Sequence, residues 1–458
     1  MGHARARKIP ARVVEDEEYQ LRHERCAAID VAKASGVVCT RLPPAREGGR
    51  RISKIEDVAA TVTAILALAA RLLADGVEMV AMESASDYWR VWYYVLEDAG
   101  LNVQLVNSSQ ARQLAGRPKT DRADAQWLAR LTEMGLLRPS FVPPAAIRAL
   151  RDYARTRLHL VQERTREWQR LEKLLEGALV KISSVVSSLA TVSARAMIEA
   201  LIAGERDPRR LADLAMARLR GKRDQLAAAL EGMMFGEHHA ELARIHLDLI
   251  DFLDRRVRQL DDAIAACLEA IPESWGVDAG GATGPGRGTG PGAPVLAAAQ
   301  RLAEIPGVSP ELARAIIAET GLDMTRFPTA AHLVSWAGLA PVARQSGPRA
   351  RKPAKGQGNS YLRGHCTQAA AGAARTGTFL GERHQRIARH RGGGRARVAV
   401  ARSILIIIWH LLKTPEARFT DLGPDWHARK TDRDKKIKGH IRQLEALGLD
   451  VAVTPRAA

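Results

Sequence analysis

Two short apolar runs that each close on an acid constrain this chain most: CAAID, ending at Asp30, and VEMVAME, ending at Glu83. Runs of this length and composition read as buried strands. GVVCTRL follows the first as its hairpin partner, and Val103–Val106 reads as a further strand. Between and after them, Ile55–Leu73, Tyr88–Ala99 and Thr120–Thr132 read as helices, the last with Thr120 as its N-cap. Strands alternating with helices predict an α/β layer around a largely buried sheet. In such a sheet, residues just past the strand ends line the functional crevice, so Asp30 and Glu83 are placed to act there.

Asp121 and Asp124 in KTDRADAQWLA stand three apart at the start of a helix and so share one side of it. Four carboxylates make an oxygen-only donor set, which a hard divalent cation such as Mg²⁺ takes, with Mn²⁺ as the alternative. Two such ions about 4 Å apart stabilise both the attacking and the leaving oxygen of a phosphodiester. Each acid also has an ordinary explanation. An Asp after a strand forms turns, Asp121 and Asp124 complement the positive end of a helix dipole, and Glu83 alone could be a surface acid.

From Ile147 the periodicity changes. Ile147, Leu150, Ala154, Leu158, Val161, Trp168, Leu171 and Leu175 recur at helical spacing, and so do Leu242, Ile245, Leu249, Phe252, Val257, Leu260 and Ile264. Two long amphipathic helices of this kind predict an antiparallel coiled-coil arm, with residues 181–240 as a helical insertion. Residues 275–294 are almost all Gly, Pro and small side chains and read as a flexible linker. The expected organisation is a basic tail over 1–24, an α/β domain over 25–146 and the arm over 147–270. The linker region 271–297, a mainly α domain over 298–413 and a charged tail over 414–458 follow.

Lys and Arg number 69 against 51 Asp and Glu, a surplus of 18 positive charges that points to a polyanionic partner. Within Pro341 to His365, Arg344, Arg349, Arg351, Lys352, Lys355 and Arg363 occur with no acid, and seven more arginines follow between Arg383 and Arg402. These acid-free stretches suit phosphate contacts. The turn in IPGVSPELARAIIAETG, starting at Ile305, reads as a helix-hairpin-helix element that presents backbone N–H groups to a phosphate. The four cysteines carry no C-x-x-C pair, which argues against a zinc ribbon or a disulfide framework. With no secretory signal and no apolar run long enough to span a bilayer, the expectation is a soluble cytoplasmic protein.

The segment MESASDYWRVWYYVLEDAGLNVQLVNSSQARQLAGRPKTDRADAQWLARLTEMGLLRPSFVPP goes further. Its E-S-x-x-x-Y-W, K-T-D-x-x-D-A and G-L-L-R-P-S elements resemble, in order and spacing, the DEDD-type insertion-sequence transposases known as the "IS one-ten" family. The likeness spans about residues 25–180 and resumes at about 300–412. It implies an RNase H-like, RuvC-type N-terminal domain with a metal-binding tetrad at Asp30, Glu83, Asp121 and Asp124. It further implies a C-terminal domain whose nucleophilic serine matches Ser346, because RFPTAAHLVSWAGLAPVARQSGPRARKPAKGQGNSYLRGHCTQAA resembles the family's serine domain. Implied partners are donor and target DNA, a structured non-coding (bridge) RNA and further copies of the chain, dimer or tetramer, in a prokaryotic nucleoid. Ala85 and Ser86 replace a Thr-Gly pair common in the family, and Pro348 replaces a glycine. Two other readings keep part of this evidence. One is a metal-dependent Holliday-junction nuclease without a serine intermediate, and the other is a non-catalytic nucleic-acid-binding protein.

Overall fold

The computed structural model describes residues 21–46, 49–83, 86–107, 120–277, 283–284, 296–341, 358–430 and 433–452. The chain divides into two compact units, Met1–Val142 and Pro143–Ala458. The helical arm and the C-terminal helices therefore cluster together in the second.

The first unit is built on a six-stranded mixed sheet in the order β3-β2-β1-β4-β5-β6. Its strands are β1 (Cys26–Val31), β2 (Ser35–Leu42), β3 (Ile52–Ala59), β4 (Met79–Glu83), β5 (Val103–Val106) and β6 (Pro139–Ser140). β1 and β2 pair antiparallel, as do β2 and β3, whereas β4 runs parallel to β1 and β5 parallel to β4. Helices α1 (Val62–Ala74) and α2 (Trp89–Asp98) cover one face, packing Ile65, Leu68, Leu72, Trp92 and Leu96 onto Ala27, Ile29, Val80 and Met82. The other face, Ala28, Val37, Cys39, Ala81 and Val106, is covered by α3 (Asp121–Glu133) through Ala125, Leu128 and Ala129. A mixed sheet covered in this way fits an RNase H-like N-terminal domain.

The helix expected from Ile55 starts only at Val62, where Thr61 caps it by accepting a hydrogen bond from the Ala64 N–H at 3.3 Å. Residues Ile52–Ala59 form the edge strand β3 instead. Lys54, Ile55 and Glu56 are not buried there, so the strand lacks the apolar alternation that announces β structure. Pairing with β2 decides its conformation.

In the second unit, α4 (Ala145–Gly177) and α8 (Glu237–Glu269), each 33 residues long, pack antiparallel. Arg157 bridges to Asp261 and Arg164 to Asp254 along their length. Along the first half of α8 the face turned inward differs from the expected one, whereas Val257 and Ile264 are buried as expected. Ala243, Leu247, Ile250 and Leu253 are buried, while Leu242, Ile245, Leu249 and Phe252 remain exposed. A one-residue rotation of the stripe is enough for this, since α8 carries two adjacent apolar rows. Between the long helices, α5 (Val192–Ile202), α6 (Pro208–Asp213) and α7 (Arg223–Leu230) build a separate apolar core around Met197, Ile198, Leu201, Leu211, Leu226 and Leu230. Arg195 clamps this insertion to α8 through two 2.6 Å hydrogen bonds to Asp251. Most of the Gly/Pro-rich linker lies outside the described residues, which include a short β7 (Gly276–Val277) and β8 (Thr283–Gly284) pair there.

The C-terminal helices are α9 (Ala298–Ala303), α10 (Pro310–Thr320), α11 (Ala330–Trp336), α12 (Ser360–Ala373), α13 (Phe379–Arg391), α14 (Gly393–Lys413), α15 (Trp426–Lys430) and α16 (Arg433–Glu445). In the turn between α9 and α10, Gly307 lies against α12: φ is +86°, and a Cβ there would sit 2.2 Å from the Ala369 carbonyl oxygen and 2.5 Å from the Ala373 nitrogen. The glycine is thus demanded by helix packing. Gly307→Ala combines a left-handed strain with a backbone clash, and should destabilise the chain by about 3 kcal/mol, read by chemical denaturation. An unchanged midpoint would contradict this packing. Among the described residues no helix is long and apolar enough to cross a membrane.

Candidate active site

The strand register places Asp30 and Glu83 beside each other. β1 and β4 pair Ile29 with Met82, so the next residues along, Asp30 and Glu83, are adjacent at the strand ends. Both lie on the α3 face, because side chains alternate and Ala28 and Ala81 occupy that face. The same row continues across the sheet: Asp30 pairs with Val37, Val37 with Asp57, and Glu83 with Val106. Asp57 is therefore a fifth carboxylate in line, one the sequence did not announce because β3 read as helix.

Helix α3 brings the other two acids to this end. The Cys26 thiol donates to the Ala129 carbonyl at 3.5 Å, fixing the start of β1 against the later turns of α3. From there Asp30 is four residues along an extended strand, about 13 Å. Going back from Ala129 to Asp124 or Asp121 covers about 8 to 12 Å of helix. The two elements run in opposite senses, so all three acids reach the same end of the sheet. Arg122 seals the arrangement by pairing with Asp57 at 3.1 Å, and Thr120 caps the helix by accepting from the Ala123 N–H at 3.2 Å. Asp124 is half-buried and Asp121 exposed. Among the described residues, no three His, Cys, Asp or Glu side chains close to the spacing that would hold a metal ion in this conformation. Their chemistry fits Mg²⁺ or Mn²⁺, and their shared face and level give the set a common direction. Ser86, three residues past Glu83, has a φ of +50°. This is the left-handed region that favours glycine, and Ser86 is where the resembling family commonly has one.

The cysteines of the unit take no part. Burial pushes the Cys26 thiol up to about 12 and that of Cys39 to about 11, so both stay protonated.

Of the C-terminal candidates, Ser346, Arg344, Arg349, Arg351, Lys352 and Lys355 lie outside the described residues. Arg363 is described, half-buried on α12. The residues flanking the gap on either side are held together. The Asn359 N–H donates to the Trp336 carbonyl at 3.1 Å. A Cβ on Gly358 would fall 2.4 Å from the Gly338 nitrogen, so the two backbones touch. Beneath this junction sits Glu319, its side chain 1% exposed. Its carboxylate accepts two hydrogen bonds from Arg155, at 2.7 and 2.9 Å, and one from Asn359 Nδ2 at 2.6 Å. Arg151 donates to the Ala318 and Glu319 carbonyls at 3.0 and 2.7 Å. Asn359 also caps α12, accepting from the Leu362 N–H at 3.0 Å, and Arg155 lies 4.2 Å over the Tyr361 ring. Burial pushes the Glu319 carboxyl up, but Arg155, Arg151 and Asn359 outweigh it and hold the group below its ordinary range. No sequence motif marked this cluster. Its only trace is a lone acid in an otherwise apolar helix face, AIIAET.

Comparison with known proteins finds family matches to two stretches of the chain. A family model for DEDD transposases of the IS110 type, described as "Transposase", matches residues 27–180. A second, described as "Transposase IS116/IS110/IS902 family", matches residues 299–385. No curated protein matches the chain. A solved structure described as "Thermus thermophilus RuvC structure" is similar at 17% identity with a TM-score of 0.20, covering 25% of this chain and 99% of that one. The two family matches together take in just over half of the chain, which therefore belongs to the IS110 transposases and is a DNA transposase.

Proposed function

We propose that this transposase cuts and rejoins DNA with two sets of residues: Asp30, Glu83, Asp121 and Asp124 as holders of divalent metal, and Ser346 as nucleophile. The observation that carries the reading is the carboxylate row on one sheet face, with the acidic end of α3 pinned at the same level through Arg122 and Asp57. Bound there, Mg²⁺ or Mn²⁺ would supply positive charge to phosphate oxygens and help ionise a hydroxyl. The chain's own residues do the rest. The carboxylates would hold the metal at one end of the sheet, and the basic residues Arg344, Arg349, Arg351, Lys352, Lys355 and Arg363 hold the DNA backbone and offset charge on the five-coordinate phosphorus. The Ser346 oxygen bonds to phosphorus as the bond to the sugar oxygen breaks, its proton passing to a base and the leaving oxygen gaining one. Attack by a strand's sugar hydroxyl on the phosphoserine reverses the step and joins new DNA.

In this reading donor and target are selected by a structured RNA of the element, and the chain acts as a homo-oligomer with the carboxylates of one copy serving the serine of another. The exposed row Leu242, Ile245, Leu249 and Phe252 on α8, spaced three, four and three, supports association of copies. Ser346→Ala tests the chemistry. Wild-type protein incubated with labelled element-end DNA and Mg²⁺ should yield a covalent adduct on denaturing gels, and the variant none, with the fold unaltered. Cleavage by the variant at the wild-type rate, with no adduct from either protein, would instead leave a metal-dependent nuclease.

A further inference from the structure

A second cluster of cations lies on the opposite side of the C-terminal helices' sequence, and most of it falls beyond residue 385, where the family match ends. Helices α13 and α14 form a hairpin about Gly392 and pack along their length. Counted out from the turn at Gly392, Arg383 and Arg386 on α13 come level with the part of α14 that carries Arg402, and none of the three makes an ion pair among the described residues. Arg383 is half-buried, and its Nε is enclosed with no hydrogen-bond partner among the described residues. Arg386 Nη2 donates to His427 Nε2 at 3.3 Å, bringing α15 over the cluster. The α15 wall is held by aromatic packing: Phe379 lies 5.2 Å from Trp426 edge-on and 5.2 Å from His427 in a stack. The local fields agree with this geometry. Burial first, then Arg386 and Arg402, lowers the Arg383 pKa, and burial followed by Arg386 and Arg383 lowers that of His427 against the opposing charge of Glu382.

Three arginines at one end of a helix hairpin, one of them with an enclosed and unpartnered Nε, cost stability in the free protein. Such a group persists where an anion compensates it. The forked N–H donors of arginine match phosphate oxygens, and a neutral His427 leaves the charge to the arginines. We propose that Arg383, Arg386 and Arg402 form a built site for one nucleic-acid phosphate, closed on one side by His427 and Trp426. This rests on the reading that the chain handles nucleic acid, and adds to it a contact apart from the Ser346 segment.

The test uses the full chain and a fluorescein-labelled oligonucleotide offered as single-stranded DNA, single-stranded RNA and duplex DNA, with affinity read by anisotropy against salt. Arg383→Met and Arg402→Gln should each weaken binding about five- to eightfold near 0.1 M salt, and flatten the log–log salt dependence by roughly 0.7 to 0.9. The double variant should lose little more than either single one, because one phosphate is shared. Whichever nucleic acid shows this loss is the source of the phosphate. Arg402 is exposed, so its variant keeps the fold, and Arg383→Met should melt no lower than wild type. Additive losses equal to that of Arg397→Gln would mean a diffuse basic surface and overturn the site. So would normal binding by Arg402→Gln together with a lower melting temperature for Arg383→Met, which would make Arg383 a packing residue. If the variants match wild type while wild type binds, the site falls and the nucleic-acid reading stands; if wild type binds none of the three, both fall.

Discussion

Asn in place of Asp30 is expected to lower Mg²⁺-dependent DNA strand cleavage by about 10³-fold while leaving the fold intact. Asp30 is half-buried at the end of β1, and its backbone pairing with Val37 does not involve the side chain. Asn has nearly the same shape, so the strand and its neighbours stay in place. What is lost is one of the two charges that the register sets side by side. A metal held by fewer carboxylates contributes less to the charge developing on phosphate, and about 4 kcal/mol of lost stabilisation corresponds to the stated factor. Cleavage within tenfold of wild type would remove Asp30 from the site.

The second large effect is on stability. Glu319→Gln should destabilise the second unit by about 3 to 5 kcal/mol, because it leaves Arg155 and Arg151 without their buried counter-charge. The pH dependence has a definite sign. The folded carboxyl sits below its ordinary value, so its contribution is present above the unfolded pKa of about 4.3, and it is lost as pH falls through the lower folded value. Wild type should therefore lose stability on acidification in that window, and Glu319→Gln should lose less. Replacing the pair together, Glu319→Leu with Arg155→Met, should cost less than Glu319→Leu alone. Denaturation midpoints for these variants equal to wild type would show that the cluster does not hold the α10–α12 junction.

How much of this was legible in the sequence depended on whether a residue's role is local. The strands β1, β4 and β5 and the cap at Thr120 were readable because short apolar runs and a Thr before an acidic helix turn act through their neighbours in sequence. Asp57 was not. Its strand is an exposed edge held by pairing with β2, and an Ala- and Leu-rich helix follows directly, so the periodic signal belonged to the wrong element. On α8 the apolar row at Leu242, Ile245, Leu249 and Phe252 was visible, but a helix with two apolar rows does not say which one faces α4. The packing role of Gly307 was hidden for the same reason. A tight turn needs glycine locally, whereas the contact with Ala369 comes from a helix some 60 residues away. Glu319 and Asn359 are 40 residues apart and meet only in the fold.

The proposed chemistry requires that acids from β1, β4 and α3 act as one metal site. Titration of the full chain with Mn²⁺, followed by electron paramagnetic resonance, measures this without requiring DNA or turnover. Wild type should take up Mn²⁺, and Asp30→Asn, Glu83→Gln and Asp124→Asn should each weaken the same binding, since the side chains share one ion environment. Equal Mn²⁺ uptake by wild type and all three variants would contradict it.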